Sequence, residues 1–449
     1  MRLFKRFFWY VVFGLSTLAL LAGASALAQG APKDESSFGA VTSAVADWLH
    51  FGYDSVYTAY NPLESTIGVT NVAQLERKWG VGCDDGYFSV ISRSPAIADG
   101  MLYTSGAGRK LTACSARSGR FLWEFGDGNL GWAPPPVVSE DELVFYWEGM
   151  NGLYTLYALD AQSGDQQWAS PLQFNIGFND EALVTVDETR DRVYLVETHY
   201  ASAKLYALDK QTGQVDWYMG PATDDAEFEG DYVLLDADKI YAVAEVPMVP
   251  YPFKGDHLLR IDAATQNIEL TYARPEPENY YDIEQYTLCN DRLVAGFDYQ
   301  YDPVKLLVAY DPITSTIAWQ KPFSTTITGQ IACNPDENHL YVPTDPYLYV
   351  LNATTGEEIW KYTGYGAIYN PSIANGVVYF LSDTNMYAVD EESGARLFSY
   401  PLGYSAYDTT QVAVADGMLY FSGNGGTCDL FALGLPGARV FLPLVVRGQ

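Results

Sequence analysis

Leu156-Tyr157-Ala158-Leu159-Asp160, followed by Ser163-Gly164 and then Trp168, decides the fold of this chain. The four apolar residues read as a strand buried on both faces, with Ala158 where a neighbour approaches closely. Asp160 and Ser163 cap a turn through side-chain bonds to backbone, and Gly164 supplies the positive φ that reverses the chain. Trp168 opens the return strand as a large apolar plug with an N–H free to find a partner. The run recurs at Leu205-Tyr206-Ala207-Leu208-Asp209 with Thr212-Gly213 and Trp217, and at Leu348-Tyr349-Val350-Leu351-Asn352 with Thr355-Gly356 and Trp360. Weaker copies are 111–114 with Gly119 and Trp123, 386–390 with Gly394 and Phe398, 307–311 with Ser315 and Trp319, and 259–262 with Gln266 and Leu270. One such run is a weak signal; seven, spaced 38 to 53 residues apart, mark a repeat architecture.

Tight hairpins give a second, independent count. They fall at 98–103, 140–144, 189–194, 236–241, 290–294, 336–341, 374–379 and 415–420. Asp-Gly and Asn-Gly ahead of an apolar strand are hairpin signals, and the first and last hairpins share the hexapeptide Ala-Asp-Gly-Met-Leu-Tyr. Eight hairpins meet seven complete tails. The eighth repeat stops after Leu430-Phe431-Ala432-Leu433, while Leu75-Glu76-Arg77-Lys78-Trp79 is an orphan Trp strand ahead of the first. Joining the two completes an eighth blade and removes the edges an open array would expose. The expected fold is all-β: an eight-bladed β-propeller of four-stranded antiparallel blades, closed by an N-terminal strand.

Composition fits that reading. Only 18% of the 449 residues are charged and 48% are hydrophobic, so the chain fills a sizeable core. Its 35 Tyr, 21 Phe and 10 Trp favour strands. The net charge of −30 argues against nucleic acid and anionic lipid as partners, because both carry the same sign. Arg2, Lys5 and Arg6, the apolar run from Phe7 to Leu21 and the small residues ending Ala26-Leu27-Ala28 read as a cleavable secretory signal, with a retained membrane anchor as the alternative. Ala stands where a lipidated Cys is needed. The expected organisation is a signal peptide at 1–28, a lead-in at 29–74, the propeller at 75–435 and a tail at 436–449. The expected product is a secreted or cell-surface monomer with no stable membrane insertion after cleavage.

The repeats resemble the pyrroloquinoline-quinone-type propeller family, whose blades carry Tyr-Ala-Leu-Asp, then Thr-Gly, then Trp. Trp48, Gly52-Tyr53-Asp54, Asn61-Pro62-Leu63 and Asn71-Val72 also resemble the lead-in of the family's dehydrogenases. The resemblance implies one of two functions: a quinone-dependent alcohol or sugar dehydrogenase with PQQ and Ca²⁺, or a binding scaffold that keeps only the repeat. The family's larger dehydrogenases stack the quinone on a disulfide between adjacent cysteines and hold Ca²⁺ with Glu, Asn and Asp. Here Cys83, Cys114, Cys289, Cys333 and Cys428 are all separated in sequence, no Cys-x-x-Cys-His run occurs, and no carboxylate set aligns with a Ca²⁺ site. The four histidines, His50, His199, His257 and His339, lie in different segments without a zinc spacing. The expectation is therefore a non-enzymatic scaffold with no cofactor, binding an unidentified protein or carbohydrate. The alternatives are the quinone dehydrogenase and an envelope protein-assembly scaffold.

Export makes disulfides possible. Superposing the last hybrid hairpin on the intact one places Cys428 on Tyr154 and Cys83 on Leu172, so a Cys83–Cys428 disulfide is expected to staple the ring closure. Cys289 and Cys333 precede Asn at the first hairpin of adjacent blades; whether they pair stays open, because equivalent positions on neighbouring blades are often too far apart. Cys114 reads as a buried free thiol. Two interblade links form a candidate ligand-facing surface. Asp224, Asp225 and Glu227 are acidic, and Tyr280, Tyr281, Asp282 and Tyr286 mix aromatic with acidic groups, as stacking on a sugar or capture of a cationic partner requires. Ordinary solvated loops are the other reading. The apolar tail Val440-Phe441-Leu442-Pro443-Leu444-Val445-Val446 is either a sorting signal or a packed strand.

Overall fold

The Leu205–Asp209 run is the third strand of a four-stranded antiparallel sheet made of Thr185–Asp187, Arg192–Val196, Leu205–Asp209 and Val215–Met219 in sequential order. Seven further sheets repeat this plan, giving an eight-bladed β-propeller. Blades 1 to 8 begin with the inner strands Ala96–Ala98, Val137–Val138, Thr185–Asp187, Glu227–Asp236, Asp282–Cys289, Ala332–Asn334, Ile368–Ala374 and Ala413–Ala415. The computed structural model describes residues 46–437 apart from 82–93, 106–109, 127–133, 151–152, 173–182, 197–203, 221–226, 248–253, 274–281, 299–303, 403–409 and 423–429. Among the described residues the one helical element is a short 3₁₀ turn, Val72–Gln74, and no helix is long and apolar enough to cross a membrane.

The capped turn is built as its residue types require. The Asp209 carboxylate accepts the Thr212 N–H at 2.8 Å and the Thr212 hydroxyl at 2.7 Å, and Gly213 follows at φ 69°. The glycine has a second task. Trp168 of blade 2 lies flat over Gly213 of blade 3, where an added Cβ would sit 2.3 Å from the indole. The indole N–H donates to the Lys210 carbonyl at 2.9 Å. The same dock joins Trp79 to Gly119, Trp123 to Gly164, Trp319 to Gly356 and Trp360 to Gly394, with the indoles donating to the carbonyls of Ala116, Ala161, Ala353 and Glu391. Each of these five Trp residues thus finds its partner in the next blade, which couples the repeats.

The junction of blades 4 and 5 departs from the dock. Leu270 stands at the Trp position of blade 4, and Ser315 of blade 5 holds a positive φ of 55° without being glycine. There the carbonyl of Pro312, equivalent to the one the indole normally engages, receives the Arg260 guanidinium and the Tyr272 hydroxyl instead.

Ring closure follows the sequence reading. Glu76–Val81 pairs antiparallel with Leu430–Gly434, from Glu76 opposite Gly434 to Val81 opposite Leu430, and Trp79 continues the docking series from blade 8 to blade 1. Cys289 and Cys333 are bonded, with Cα atoms 5.9 Å apart. Cys289 ends the inner strand of blade 5 and Cys333 is the middle residue of the inner strand of blade 6. The bridge closes a 44-residue separation, for which chain entropy gives about 4 kcal/mol. Cys114 is buried and unbridged, and burial pushes its thiol up to about 12. Cys83, Cys428, the leader at 1–28 and the run 440–446 lie outside the described residues.

Candidate functional site

The lead-in does not merely approach the ring; it runs around the inside of it. Ala46 exchanges bonds with Asp416 of blade 8, its N–H reaching the carboxylate at 3.2 Å. Trp48 and Ile97 of blade 1 bond both ways at 2.9 and 2.7 Å, and Val138 of blade 2 donates to Leu49 O at 2.9 Å. Leu235 of blade 4 then donates to Ser55 O, Cys333 of blade 6 to Thr58 O and Ile373 of blade 7 to Ala59 O, at 2.8 to 2.9 Å. The Thr287 hydroxyl of blade 5 reaches Val56 O at 2.9 Å, and the Tyr57 hydroxyl meets Thr185 of blade 3. Tyr60–Asn61 adds a parallel fifth strand to blade 7. Residues 46–61 form a hoop that touches every blade.

Asn61 is the clasp. It is fully buried, and its amide donates to Val414 O of blade 8 at 2.7 Å and to Asp47 O at 3.2 Å, so the hoop closes on its own start. Asn61→Ala is expected to lower unfolding free energy by about 2–3 kcal/mol, because buried carbonyls lose their donors; urea unfolding of the purified variant measures this.

Between blades 2 and 4 the hoop crosses the channel. Gly52 donates its N–H to the Gln411 side-chain oxygen at 2.9 Å, and the Gln411 amide donates to Gln330 Oε1 at 3.1 Å. Gln330 in turn donates to Tyr57 O at 2.9 Å and takes its own backbone N–H to Asn370 Oδ1 at 2.8 Å. Gly52 has φ 79°, and a Cβ there would lie 2.5 Å from the Tyr57 ring and 2.7 Å from Gln330 Nε2. Only glycine fits this floor. On its other side three rings stack: Tyr57 on Tyr232 with centroids 4.1 Å apart, and Tyr232 on Tyr286 at 4.4 Å. Burial raises all three phenols above their ordinary value.

The hoop carries two perturbed carboxyls and one perturbed imidazole. Asp54 accepts the Thr58 hydroxyl at 2.5 Å and the Thr58 N–H at 2.9 Å, yet burial pushes it up to about 6. Asp47 also rises to about 6, through burial first and then the neighbouring carboxylates of Asp416 and Asp99. His50 falls to about 4 through burial, and its Nδ1 lies 2.8 Å from Phe51 O, which makes Nδ1 the protonated nitrogen.

The sequence-designated surface is not assembled as expected. Tyr286 is 1% exposed in the ring stack, a core residue of an inner strand rather than a loop group. Its apolar body and short-range partner bonds to Tyr232 explain the burial. Asp282 and Glu227 begin the inner strands of blades 5 and 4. Asp224, Asp225, Tyr280 and Tyr281 lie outside the described residues. The carboxamides Gln330, Asn370 and Gln411 were missed by sequence reasoning, although they hold one repeat position in blades 6, 7 and 8, two residues before the inner-strand residue opposite Tyr341, Tyr379 and Tyr420, so alignment of the repeats could have found them.

A quinone with its cation calls for several hard oxygen donors in one place. Among the described residues no three His, Cys, Asp or Glu side chains are grouped to hold a metal ion. The channel carboxamides bond to one another and to the hoop, and Asp54 is engaged with Thr58. The described residues therefore do not fit the cation.

Comparison with known proteins gives the chain its relatives. It is 24% identical over 407 residues to the dehydrogenase subunit of an alcohol dehydrogenase (quinone) from Komagataeibacter europaeus, covering 79% of this chain and 52% of that protein. The chain spans about half, or less, of the length of the curated relatives it matches. The solved quinohemoprotein alcohol dehydrogenase of Comamonas testosteroni superposes with TM-score 0.66 at 16% identity, over 90% of this chain and 83% of that one. A europium-containing methanol dehydrogenase superposes with TM-score 0.68 at 13% identity, over 87% and 98%. These relatives overturn the expectation of a non-enzymatic scaffold without a cofactor. That expectation rested on missing motifs, and in a propeller the ligand donors come from separate blades with no fixed spacing, so a missing motif carries little weight. The model of the family PQQ_2, described as outer membrane protein assembly factor BamB, matches residues 64–245 and 305–434, and the chain belongs to that family.

Proposed function

We propose that the chain is the propeller of a quinone-dependent dehydrogenase that oxidises an alcohol group. The observation that carries this is the alignment with the alcohol dehydrogenase (quinone) subunit, which runs through most of the repeats rather than one blade. A bound quinone supplies a two-electron, two-proton acceptor for the oxidation. This chain's own described residues supply the hoop that spans the channel and the carboxamides that hold it.

We also place the protein outside the cytoplasm. The leader-like start of the sequence and the Cys289–Cys333 bridge support this, since such bridges persist in oxidising compartments.

The test is titration of the purified full chain with pyrroloquinoline quinone plus Ca²⁺, and in parallel plus a lanthanide, followed by dye-linked assay with primary alcohols. Stoichiometric quinone uptake and dye reduction are expected with one cation. Neither uptake nor turnover with either cation would overturn the reading.

A further inference from the structure

One repeat position is Ala in half of the blades. The residue after the capping side chain of the turn is Ala116, Ala161, Ala263 and Ala353 in blades 1, 2, 4 and 6, and all four are buried. Their N–H groups donate at 2.9 Å to the first hairpin of their own blade, to the carbonyls of Gly100, Glu142, Asp238 and Asn338. Two blades depart in opposite senses. Blade 3 carries Lys210 and blade 7 carries Glu391, with the same backbone bond, to Asp191 O at 2.9 Å and Gly376 O at 3.0 Å. The two residues are 3% and 6% exposed, and they stand four blades apart in a ring of eight.

Each charged side chain meets a matched set of groups. The Lys210 ammonium lies 2.5 Å from Glu188 and 3.5 Å from Asp191 in its own blade, and 3.3 Å from Asp141 of blade 2. Two further bonds cross this junction: the Gln211 amide donates to Asp141 at 2.5 Å, and the Glu140 N–H donates to Glu188 at 2.9 Å. At the other junction the Glu391 carboxylate accepts the Asn334 amide at 2.6 Å and the Tyr341 hydroxyl at 2.5 Å, both from blade 6. Tyr103 holds the repeat position of Tyr341 in blade 1, and there the hydroxyl donates to the Ala161 carbonyl at 3.1 Å instead. The bonds of Lys210 and Glu391 are therefore private to their junctions, whereas the Trp dock is shared by five.

We propose that Lys210 and Glu391 are register keys, which seat blade 3 against blade 2 and blade 7 against blade 6 and reject other neighbours while the ring assembles. The Trp dock uses an indole, a glycine and a carbonyl at each of its five junctions, so it does not tell one neighbour from another. Chains of similar repeats fail by docking the wrong units. A key rejects such an encounter by charge: Glu391 at the socket of Lys210 would meet three carboxylates, and Lys210 at the socket of Glu391 would face groups that donate. A buried charge adds little net stability, because desolvation offsets its attraction, and its best-attested use is to fix register.

Refolding of the full chain from urea, with its disulfides kept oxidised, tests the keys. Size-exclusion chromatography separates native monomer from the other soluble species. Lys210→Ala and Glu391→Ala install the residue that four blades already carry, so the dock itself is kept. Each is expected to raise the ratio of misassembled to native chains about tenfold, the loss of one charge-assisted contact in the choice of neighbour. Gly100→Ala is the control for stability alone, since nothing lies within 4 Å of its added Cβ. Glu391→Gln keeps an accepting oxygen in the same place and should refold like the wild type, which keeps the test usable where an Ala variant gives no monomer. Ala variants that partition like Gly100→Ala, or Glu391→Gln misassembling as much as Glu391→Ala, would overturn the proposal.

Discussion

Gly213→Ala is expected to destabilise the propeller by about 3 kcal/mol or more, well beyond what backbone strain alone would cost. Two effects add at this position. A non-glycine residue at φ 69° meets the usual left-handed penalty of about 1–2 kcal/mol. The new methyl then lies 2.3 Å from the Trp168 indole and must displace it. Gly100 provides the control, because it has φ 74° with nothing within 4 Å of the added Cβ. Gly100→Ala should therefore show only the strain. Trp168→Ala should cost about 3–5 kcal/mol by leaving a cavity between blades. The double variant should cost clearly less than the two single losses together, since the methyl no longer meets a ring. Urea unfolding of the four variants measures all of this. Equal losses at Gly213 and Gly100 would show that glycine serves the turn and not the dock.

Non-reducing peptide mapping is expected to recover Cys83 joined to Cys428. The pairing of Glu76–Val81 with Leu430–Gly434 ends with Val81 opposite Leu430. Carried two residues further, the same register would oppose positions 83 and 428. In the intact hairpin used as a template, Tyr154 and Leu172 are direct partners. A bridge there closes 345 residues and holds the two ends of the ring together. Chain entropy sets its contribution at roughly 6 kcal/mol, an upper figure from which any strain subtracts. Cys83→Ser should lower stability accordingly while leaving the Cys289–Cys333 bridge in place. Free thiols at both positions in the oxidised protein would remove the staple from this account.

Much of the fold was written locally. Asp209, Thr212, Gly213 and Trp217 act within a few residues of one another, and most blades repeat the arrangement in full or in part, so the turn and the strand order could be read directly. The broken repeat at each end made ring closure legible as well. The site was less legible for a physical reason. Gln330, Asn370 and Gln411 belong to three blades, and Gly52 reaches Gln411 across 359 positions of sequence. The repeat relates the three carboxamides to one another, since each lies two residues before the inner-strand partner of a repeat Tyr, but nothing local relates them to Gly52. Tyr286 shows the opposite error: beside acidic neighbours it looked like a loop aromatic, but the alternation of its strand turns it into the ring stack.

The sequence by itself determined the number of blades, their order and the way the ring closes, because those follow from short-range turn chemistry repeated eight times. It also marked Trp48, Gly52, Asp54 and Asn61 as a lead-in worth attention. Only the tertiary structure decided that these residues form a hoop inside the ring, with Asn61 as its clasp. It also decided that Cys289 and Cys333 are close enough to bond. Both depend on the radius at which eight blades pack around an axis, and that radius is a property of the assembled ring.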